Sequence, residues 1–268
     1  MSQQIKSISE LKDQNKNFQD EKKQKKQKKL KVGNVKISWA SSDKERNEVY
    51  KLRYKIFAEE MGANINGGKK KIDKDIFDDY CEHLIARDIK SEKIIGTYRV
   101  LTPLGAKNLG YLYSELEFDI GKINDIRDIV IEVGRACVHK KFRSGSVIMS
   151  MWAELGRFMK ANGFQIMIGC SSVPIKDGGH MAASIYKKLF KSGRITEAYK
   201  VIPKLPLDCD SLPFDNEIET PPLLKGYLRL GAKICGNPAW DPDFNTADFF
   251  TMLNLNEIPR RYAEHFLK

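Results

Sequence analysis

The chain has 268 residues, 41% of them hydrophobic and 30% charged, enough to bury a full core in one large domain. No run approaches the roughly 18 unbroken apolar residues that a membrane span requires, and Met1 to Asp20 lacks the apolar core of a signal peptide, so the expected location is the cytoplasm. The net charge is +11, and six of those charges come from residues 1–32, where ten lysines face four acidic residues.

That Gln/Lys-rich segment has few large apolar side chains and is expected to be a disordered arm preceding an ordered domain over 33–268. Its charge suits either a solvated tail or attraction to anionic lipid headgroups or an acidic partner. Nothing downstream interleaves aromatic and basic residues in the manner of an RNA- or DNA-binding module, so nucleic acid is not an expected partner. The five cysteines (Cys81, Cys137, Cys170, Cys209, Cys235) are odd in number and form no C-x-x-C pair, which argues against zinc and for a reducing compartment. Cys137 and Cys170 lie in apolar runs and read as core thiols rather than nucleophiles.

Order is expected from Val35, where Val35, Ile37 and Trp39 alternate with polar residues as a half-buried strand. Ser42-Asp43-Lys44-Glu45 has the form of a capping box, opening a helix that runs to about Met61 before Gly62. Strands follow at His83–Ile89 and Ile94–Leu101 across the polar turn Lys90-Ser91-Glu92-Lys93, then a long apolar strand at Ile129–Val138. Ile148, Met151, Trp152, Leu155 and Phe158 mark one face of a helix that stops at Asn162-Gly163. Phe164–Val173 reads as a strand and Met181–Phe190 as a helix. A shorter helix has Pro222 near its start and Gly231 past its end. Ala232–Leu255 alternates turn residues with apolar stretches and adds strands. The sum is a mixed α/β domain.

Charges inside apolar patterns are the informative residues, because burying an unpaired charge is costly. On a helical wheel Arg53 falls between Val49 and Phe57, within the apolar arc of the first helix, either snorkelling or lining a site. Arg99 shares a strand face with Ile95, Thr97 and Leu101. Glu132 and Arg135 sit in Ile129-Val130-Ile131-Glu132-Val133-Gly134-Arg135-Ala136-Cys137-Val138. Strict alternation puts them on opposite faces, whereas a bulge around Gly134 puts them on one. These charges form either a structural ion network or a polar cleft for an anionic, amine-bearing substrate. The loop His139-Lys140-Lys141-Phe142-Arg143-Ser144-Gly145-Ser146 then opens a helix, where small residues leave backbone N–H groups free to bind phosphate.

These residues resemble the GCN5-related N-acetyltransferase (GNAT) superfamily, and within it the ornithine-lipid N-acyltransferases labelled haemolysin-like. The resemblance covers roughly Val49 to Phe266. It rests on Leu52-Arg53-Tyr54-Lys55-Ile56-Phe57, Asp75-Ile76-Phe77-Asp78, Cys81-Glu82-His83-Leu84 and Gly96-Thr97-Tyr98-Arg99. Further blocks are Glu132-Val133-Gly134-Arg135-Ala136-Cys137-Val138-His139, Pro221-Pro222-Leu223-Leu224-Lys225-Gly226-Tyr227, Phe244-Asn245-Thr246 and Arg261-Tyr262. Arg53 with Phe57, the acidic segment, Arg99 and the Glu132/Arg135 pair are also similar to acyl-homoserine-lactone synthases. Two departures leave the substrates open: Glu82 stands where ornithine-lipid enzymes usually carry Asp, and the phosphate loop reads Arg-Ser-Gly-Ser.

The resemblance implies a GNAT fold with a mixed sheet and transfer of a (3-hydroxy)fatty acyl group from acyl carrier protein to the α-amine of L-ornithine. No permanently bound cofactor or metal is implied; the acyl-phosphopantetheine thioester is a co-substrate. Glu132 is the implied base, and Tyr186 stands where many relatives keep a tyrosine that protonates the leaving thiolate. Arg53 and Arg99 would hold the carboxylate with Phe57 and Arg135 beside them, while Asp75 and Asp78 would order those arginines or meet a second amine. Arg143, Ser144, Gly145 and Ser146 would take the phosphopantetheine, and the basic rim of Lys140, Lys141, Lys187 and Lys188 suits an acidic carrier protein. Another acceptor such as glycine, lactone formation, and a membrane-active protein without enzymatic activity remain alternatives. His83-Leu84-Ile85-Ala86-Arg87-Asp88 also matches the H-x-x-x-x-D signature of glycerolipid O-acyltransferases, but in a strand its ends lie about 16 Å apart and cannot pair.

Overall fold

The structure, a computed structural model, describes residues 30–266. The arm expected over 1–32 lies outside them except for its last three residues. These form strand β1 (Leu30–Val32), an edge strand against β2 (Val35–Trp39). Ser42 caps helix α1 (Asp43–Tyr54) by accepting from the Glu45 amide. The expected capping box is shifted, because the Glu45 carboxylate takes the amide of Ser41 rather than that of Ser42. The helix then loosens into a π-turn over Lys55–Glu60, a deviation frequent at functional sites.

Strands β3 (Glu82–Asp88) and β4 (Ile94–Leu101) form the expected hairpin. They are followed by α2 (Pro103–Leu109), capped by Thr102, and the short β5 (Phe118–Asp119). Then come β6 (Val130–Val138), α3 (Ser146–Asn162), β7 (Ile166–Pro174), α4 (His180–Lys191) and β8 (Ile202–Pro203). The C-terminal part contributes α5 (Pro222–Arg229), β9 (Lys233–Ile234), β10 (Ala239–Asp241), β11 (Thr246–Asn254) and α6 (Arg260–Phe266). Sequence periodicity missed α2 and α6, each only seven residues long.

The main sheet has nine strands in the order β1-β2-β3-β4-β6-β7-β11-β10, with β9 also on β11. Every pairing is antiparallel except β6 with β7. One face, built from Leu84, Tyr98, Val100, Ile131, Met167 and Leu253, packs on α3 through Met151, Trp152 and Leu155. Farther along the same face, Val173, Ala247 and Phe249 pack on Ile185 and Leu189 of α4 and Leu224 of α5. Burying these side chains is the main stabilising term, at roughly 1.5–3 kcal/mol for each large one. The other face receives Val49 and Leu52 of α1 and Ile56 of the π-turn against Ile85 and Cys137. Beyond α1 that face is apolar at Val130, Ile168 and Phe250, with Phe118 of β5 packed against it, and between these two apolar regions it carries charge.

The parallel pair is short. Val130, Ile131 and Glu132 pair with Ile166, Met167 and Ile168, and beyond that point β6 and β7 do not pair with each other. Gly169 stands where they part, and a Cβ there would lie 2.3 Å from the Val133 carbonyl oxygen, so only glycine fits so close a backbone approach. The fork opens from Glu132 toward the His139–Ser146 loop. Among the described residues no helix is long and apolar enough to cross a membrane.

Candidate active site

Glu132 lies at the apex of the fork, 4% exposed. Its carboxylate accepts the Tyr113 amide at 2.5 Å and the Ser114 amide at 2.8 Å, from the start of a 3-10 turn over Tyr113–Leu116. Burial raises its pKa, while the hydrogen bonds from that turn and the nearby Arg99 oppose the rise. The anticipated bulge is present. Arg99 pairs with Gly134 and Thr97 with Cys137, which leaves Arg135 and Ala136 to share the place opposite Tyr98. Arg135 adopts φ +49°, an uncommon conformation for a residue with a side chain. The bulge brings Arg135 to the Glu132 face: Glu132 takes the Tyr113 amide, and Arg135 points a guanidinium N–H at the Tyr113 hydroxyl, 3.3 Å away.

Three arginines and three aspartates meet beside this pair. Arg53, fully buried, donates through Nε to Asp73 at 2.9 Å and through both terminal nitrogens to Asp78 at 2.6 and 3.1 Å. Arg99 donates to both oxygens of Asp75 at 2.6 Å and lies 3.5 Å from Asp78. Arg135 is held more loosely, 3.4 Å from Asp73 and 3.5 Å from Asp75, with its Nε lacking a hydrogen bond. Its guanidinium lies over the rings of Phe244 (4.6 Å) and Tyr113 (5.2 Å), and Phe57 meets Phe244 edge-on. Asp75 and Asp78 cap their own turn reciprocally, which fixes both carboxylates. Despite its burial, the flanking Arg53 and Arg99 hold the Asp78 carboxyl well below the usual range. Burial lowers His83 to about 4, leaving a neutral imidazole 3.3 Å from the Asp78 carbonyl. Asp88, at the other end of β3, is occupied by Ser91, so His83 and Asp88 form no dyad.

The structure thus brings Arg53, Phe57, Asp75, Asp78, Arg99, Glu132 and Arg135 together. Arg53 is fully buried with its hydrogen bonds directed to Asp73 and Asp78, so it orders the aspartates rather than facing solvent; Arg135, with 14% of its side chain exposed, is the most accessible of the three. Asp73, Tyr113 and Ser114 also belong to the site. No local pattern marked them, since Asp73 sits in a lysine-rich loop and Ser114 contributes its backbone.

Past the end of β6, Gly145 (φ +86°) opens α3 with no side-chain cap, so the first-turn amides are not taken by a cap. Ser144 and Ser146 are exposed there, and Arg143 donates to the Val138 carbonyl while pairing with Glu60 of the π-turn. Lys140 and Lys141 are exposed at the rim. Lys187 and Lys188 instead donate to main-chain carbonyls of Leu212 and Ile218, which reduces the expected basic rim by two. Tyr186 is separate from the charged cluster. It lies half-buried on α4, its hydroxyl donating to Asn237 and its pKa raised by burial. Burial raises all five cysteine thiols, which disfavours thiolate chemistry.

A mixed sheet forked at a buried glutamate, with an uncapped helix N-terminus at the end of the same strand, defines an acyltransferase of the GNAT class, and an acetyltransferase (GNAT) domain model matches residues 52–153. The L-ornithine N(alpha)-acyltransferase of Rhizobium meliloti (strain 1021) is 30% identical over 253 residues, covering 88% of this chain and 85% of that one. The enzyme of the same name from Brucella abortus (strain 2308) is 29% identical, covering 88% and 89%. A solved CoA-dependent acyl-homoserine lactone synthase, MesI, shares the fold at a TM-score of 0.50 and 13% identity, covering 86% of this chain and 92% of that one. The chain belongs to the L-ornithine N(alpha)-acyltransferase family.

Proposed function

We propose that the protein transfers a (3-hydroxy)fatty acyl group from acyl carrier protein to the α-amine of L-ornithine, giving a lyso-ornithine lipid. The observation that carries this reading is the placement of Glu132 at the apex of the fork, buried and about 20 Å of strand from the donor loop. An extended phosphopantetheine arm would lie in the fork with its phosphate on the Ser144–Ser146 amides beside Arg143. Its thioester would then sit near Glu132.

An ammonium must lose a proton before it can attack. A carboxylate with a raised pKa, retaining lone pairs beyond those taken by Tyr113 and Ser114, is suited to accept it. The neutral amine then forms the C–N bond at the thioester carbonyl, the C–S bond breaks, and the thiolate takes a proton. Tyr186, kept protonated by its raised pKa, is the proposed donor, and it would have to release Asn237 to act. Arg135 takes the acceptor carboxylate, supported by Arg99, while Asp73, Asp75 and Asp78 hold the arginines in place. Lys140 and Lys141 meet the acidic carrier protein, and the arm of residues 1–32 brings the enzyme to an anionic membrane surface.

Purified protein incubated with 3-hydroxyacyl-acyl carrier protein and separate amino acids should yield N-acyl-ornithine by mass spectrometry. A product with glycine alone, or a lactone, would move the acceptor; no acyl product with any amino acid would sink the reading.

A further inference from the structure

We propose that Phe244 is a positioning residue for the acceptor: from the turn between β10 and β11 it reaches across the open end of the fork and holds the Arg135 guanidinium by its face, leaving the edge free for a carboxylate. The proposal rests on the reading above, in which Arg135 takes the acceptor carboxylate, and adds a residue that the opposite side of the fork must supply.

Arg135 needs such a partner because its polar contacts are weak. Arg53 and Arg99 each donate to an aspartate at 2.6 Å. Arg135 comes no closer than 3.4 Å to Asp73 and 3.5 Å to Asp75, it points one N–H at the Tyr113 hydroxyl 3.3 Å away, and its buried Nε has no hydrogen-bond partner. Two rings hold it instead. The guanidinium carbon lies 4.6 Å from the Phe244 ring centroid and 5.2 Å from that of Tyr113, both within the roughly 6 Å of a cation–π contact. An arginine held by its faces keeps the N–H groups of its edge for a planar anion.

Phe244 is delivered from the other side of the fork. Thr246 of β11 pairs with Pro174 at the end of β7, so the turn before it sits where β6 and β7 have already parted. The tip of this turn is fixed from within. The buried Asp241 accepts the Asp243 and Phe244 amides through Oδ1 at 2.9 and 3.1 Å, and Asn245 takes φ +52°, a left-handed conformation that asparagine tolerates. The Asn245 carbonyl accepts the Ile175 amide at 3.2 Å on the β7 side, and the Asp243 carbonyl accepts the Asn64 amide at 2.7 Å on the α1 side. Phe244 also meets Phe57 of the π-turn edge-on, with ring centroids 5.9 Å apart. The turn therefore straps the fork on the α1 face and sets a ring over the most loosely tied of the three arginines.

The test compares L-ornithine with 1,4-diaminobutane, the same diamine without the carboxylate, on wild type, Phe244→Leu and Phe244→Tyr. Affinity is measured by calorimetry, and KM and kcat by acyl transfer. Leucine keeps an apolar side chain against Phe57 but has no π face, whereas tyrosine keeps the ring. Phe244→Leu should weaken ornithine binding about 2- to 30-fold, the range of one cation–π contact. It should raise KM for ornithine by a similar factor, with kcat changing less, and leave diaminobutane binding as in wild type. Phe244→Tyr should bind ornithine as wild type does. Equal weakening for both ligands, wild-type ornithine affinity in Phe244→Leu, or a tyrosine variant as weak as the leucine one overturns the proposal. So does a wild type that binds ornithine no better than diaminobutane. Carboxylate-dependent binding that is lost in Phe244→Leu, without an acyl amide from any amino acid, would sustain the role of Phe244 and sink the transfer reading instead.

Discussion

Two buried charge clusters share one face of the sheet and are built in opposite ways. In the first, Arg53, Arg99 and Arg135 meet Asp73, Asp75 and Asp78, and Arg53 and Arg99 hold the aspartates at hydrogen-bond distance. In the second, Glu117 and Asp248 crowd together near Glu132, sharing a hydrogen bond, with burial and like charge as the main influences on Glu117. Pairing fixes charge: Asp78 stays ionised far into acid, and its partners stay in place. Crowding without pairing makes protonation responsive, so Glu117 changes state near the pH at which amines do. The first cluster suits scaffolding, and the second holds its proton through burial and crowding.

The sharpest way to break this contrast is at Glu132. Glu132→Gln should lower kcat by about 10²–10⁴, the range of a lost general base, and cost about 1–3 kcal/mol of stability, because its single amide oxygen can accept from only one of the Tyr113 and Ser114 amides. Near-normal turnover would remove Glu132 from the chemistry. Arg53→Ala should cost about 3–5 kcal/mol in denaturant unfolding, because Asp73 and Asp78 would be left buried without their main partner. A loss below about 1 kcal/mol, the level of an exposed pair, would show that water already serves those carboxylates.

The two clusters also predict opposite pH signatures. Asp78, with its folded pKa depressed, contributes stability at neutral pH that disappears only as pH falls below the ordinary carboxylate value. Glu117, raised to about 9, does the reverse: its contribution is full below the unfolded pKa and is lost as pH rises through the folded one. The stability of Glu117→Gln relative to wild type should therefore grow between about pH 5 and 9, and a flat difference would contradict the uncompensated cluster. The smallest effect belongs to Arg143→Ala. Its pair with Glu60 is exposed, so stability should change by less than about 1 kcal/mol, while KM for the acyl donor should rise about three- to tenfold with kcat changing less. An unchanged KM would remove Arg143 from the donor site.

Much of the scaffold could be read from the sequence because its signals are local. The strand at β6, its glycine-marked bulge, Glu132 and Arg135 all lie within ten residues of one another. Arg53 was conspicuous because it interrupts the apolar arc of α1. Its partners were harder to identify: Asp73 lies among lysines, and only the folded loop turns it inward. Glu117 and Asp248 were invisible for a related reason. Glu117 follows a polar turn, and Asp248 occupies an alternating strand where one acid signals nothing until β7 and the 3-10 turn close around it. Lys187 and Lys188 show the converse error. Basic residues on a helix suggested a docking surface, yet both reach carbonyls of the 208–218 segment.

The fork has a mechanical consequence. Because β6 and β7 pair through only Val130–Glu132 and Ile166–Ile168, the nine-stranded sheet behaves as two panels, β1–β4 with β6 and β7 with β9–β11, joined along a seam three residue pairs long. Beyond the seam the panels are free of one another's hydrogen bonds, so those β6 amides past Glu132 that face β7 rather than β4 should exchange with solvent faster than those in the seam. An amide-bearing arm laid between the panels would bridge them as a guest strand. Donor binding should then slow exchange along the fork, stiffening the sheet across the gap in the same event that delivers the acyl group.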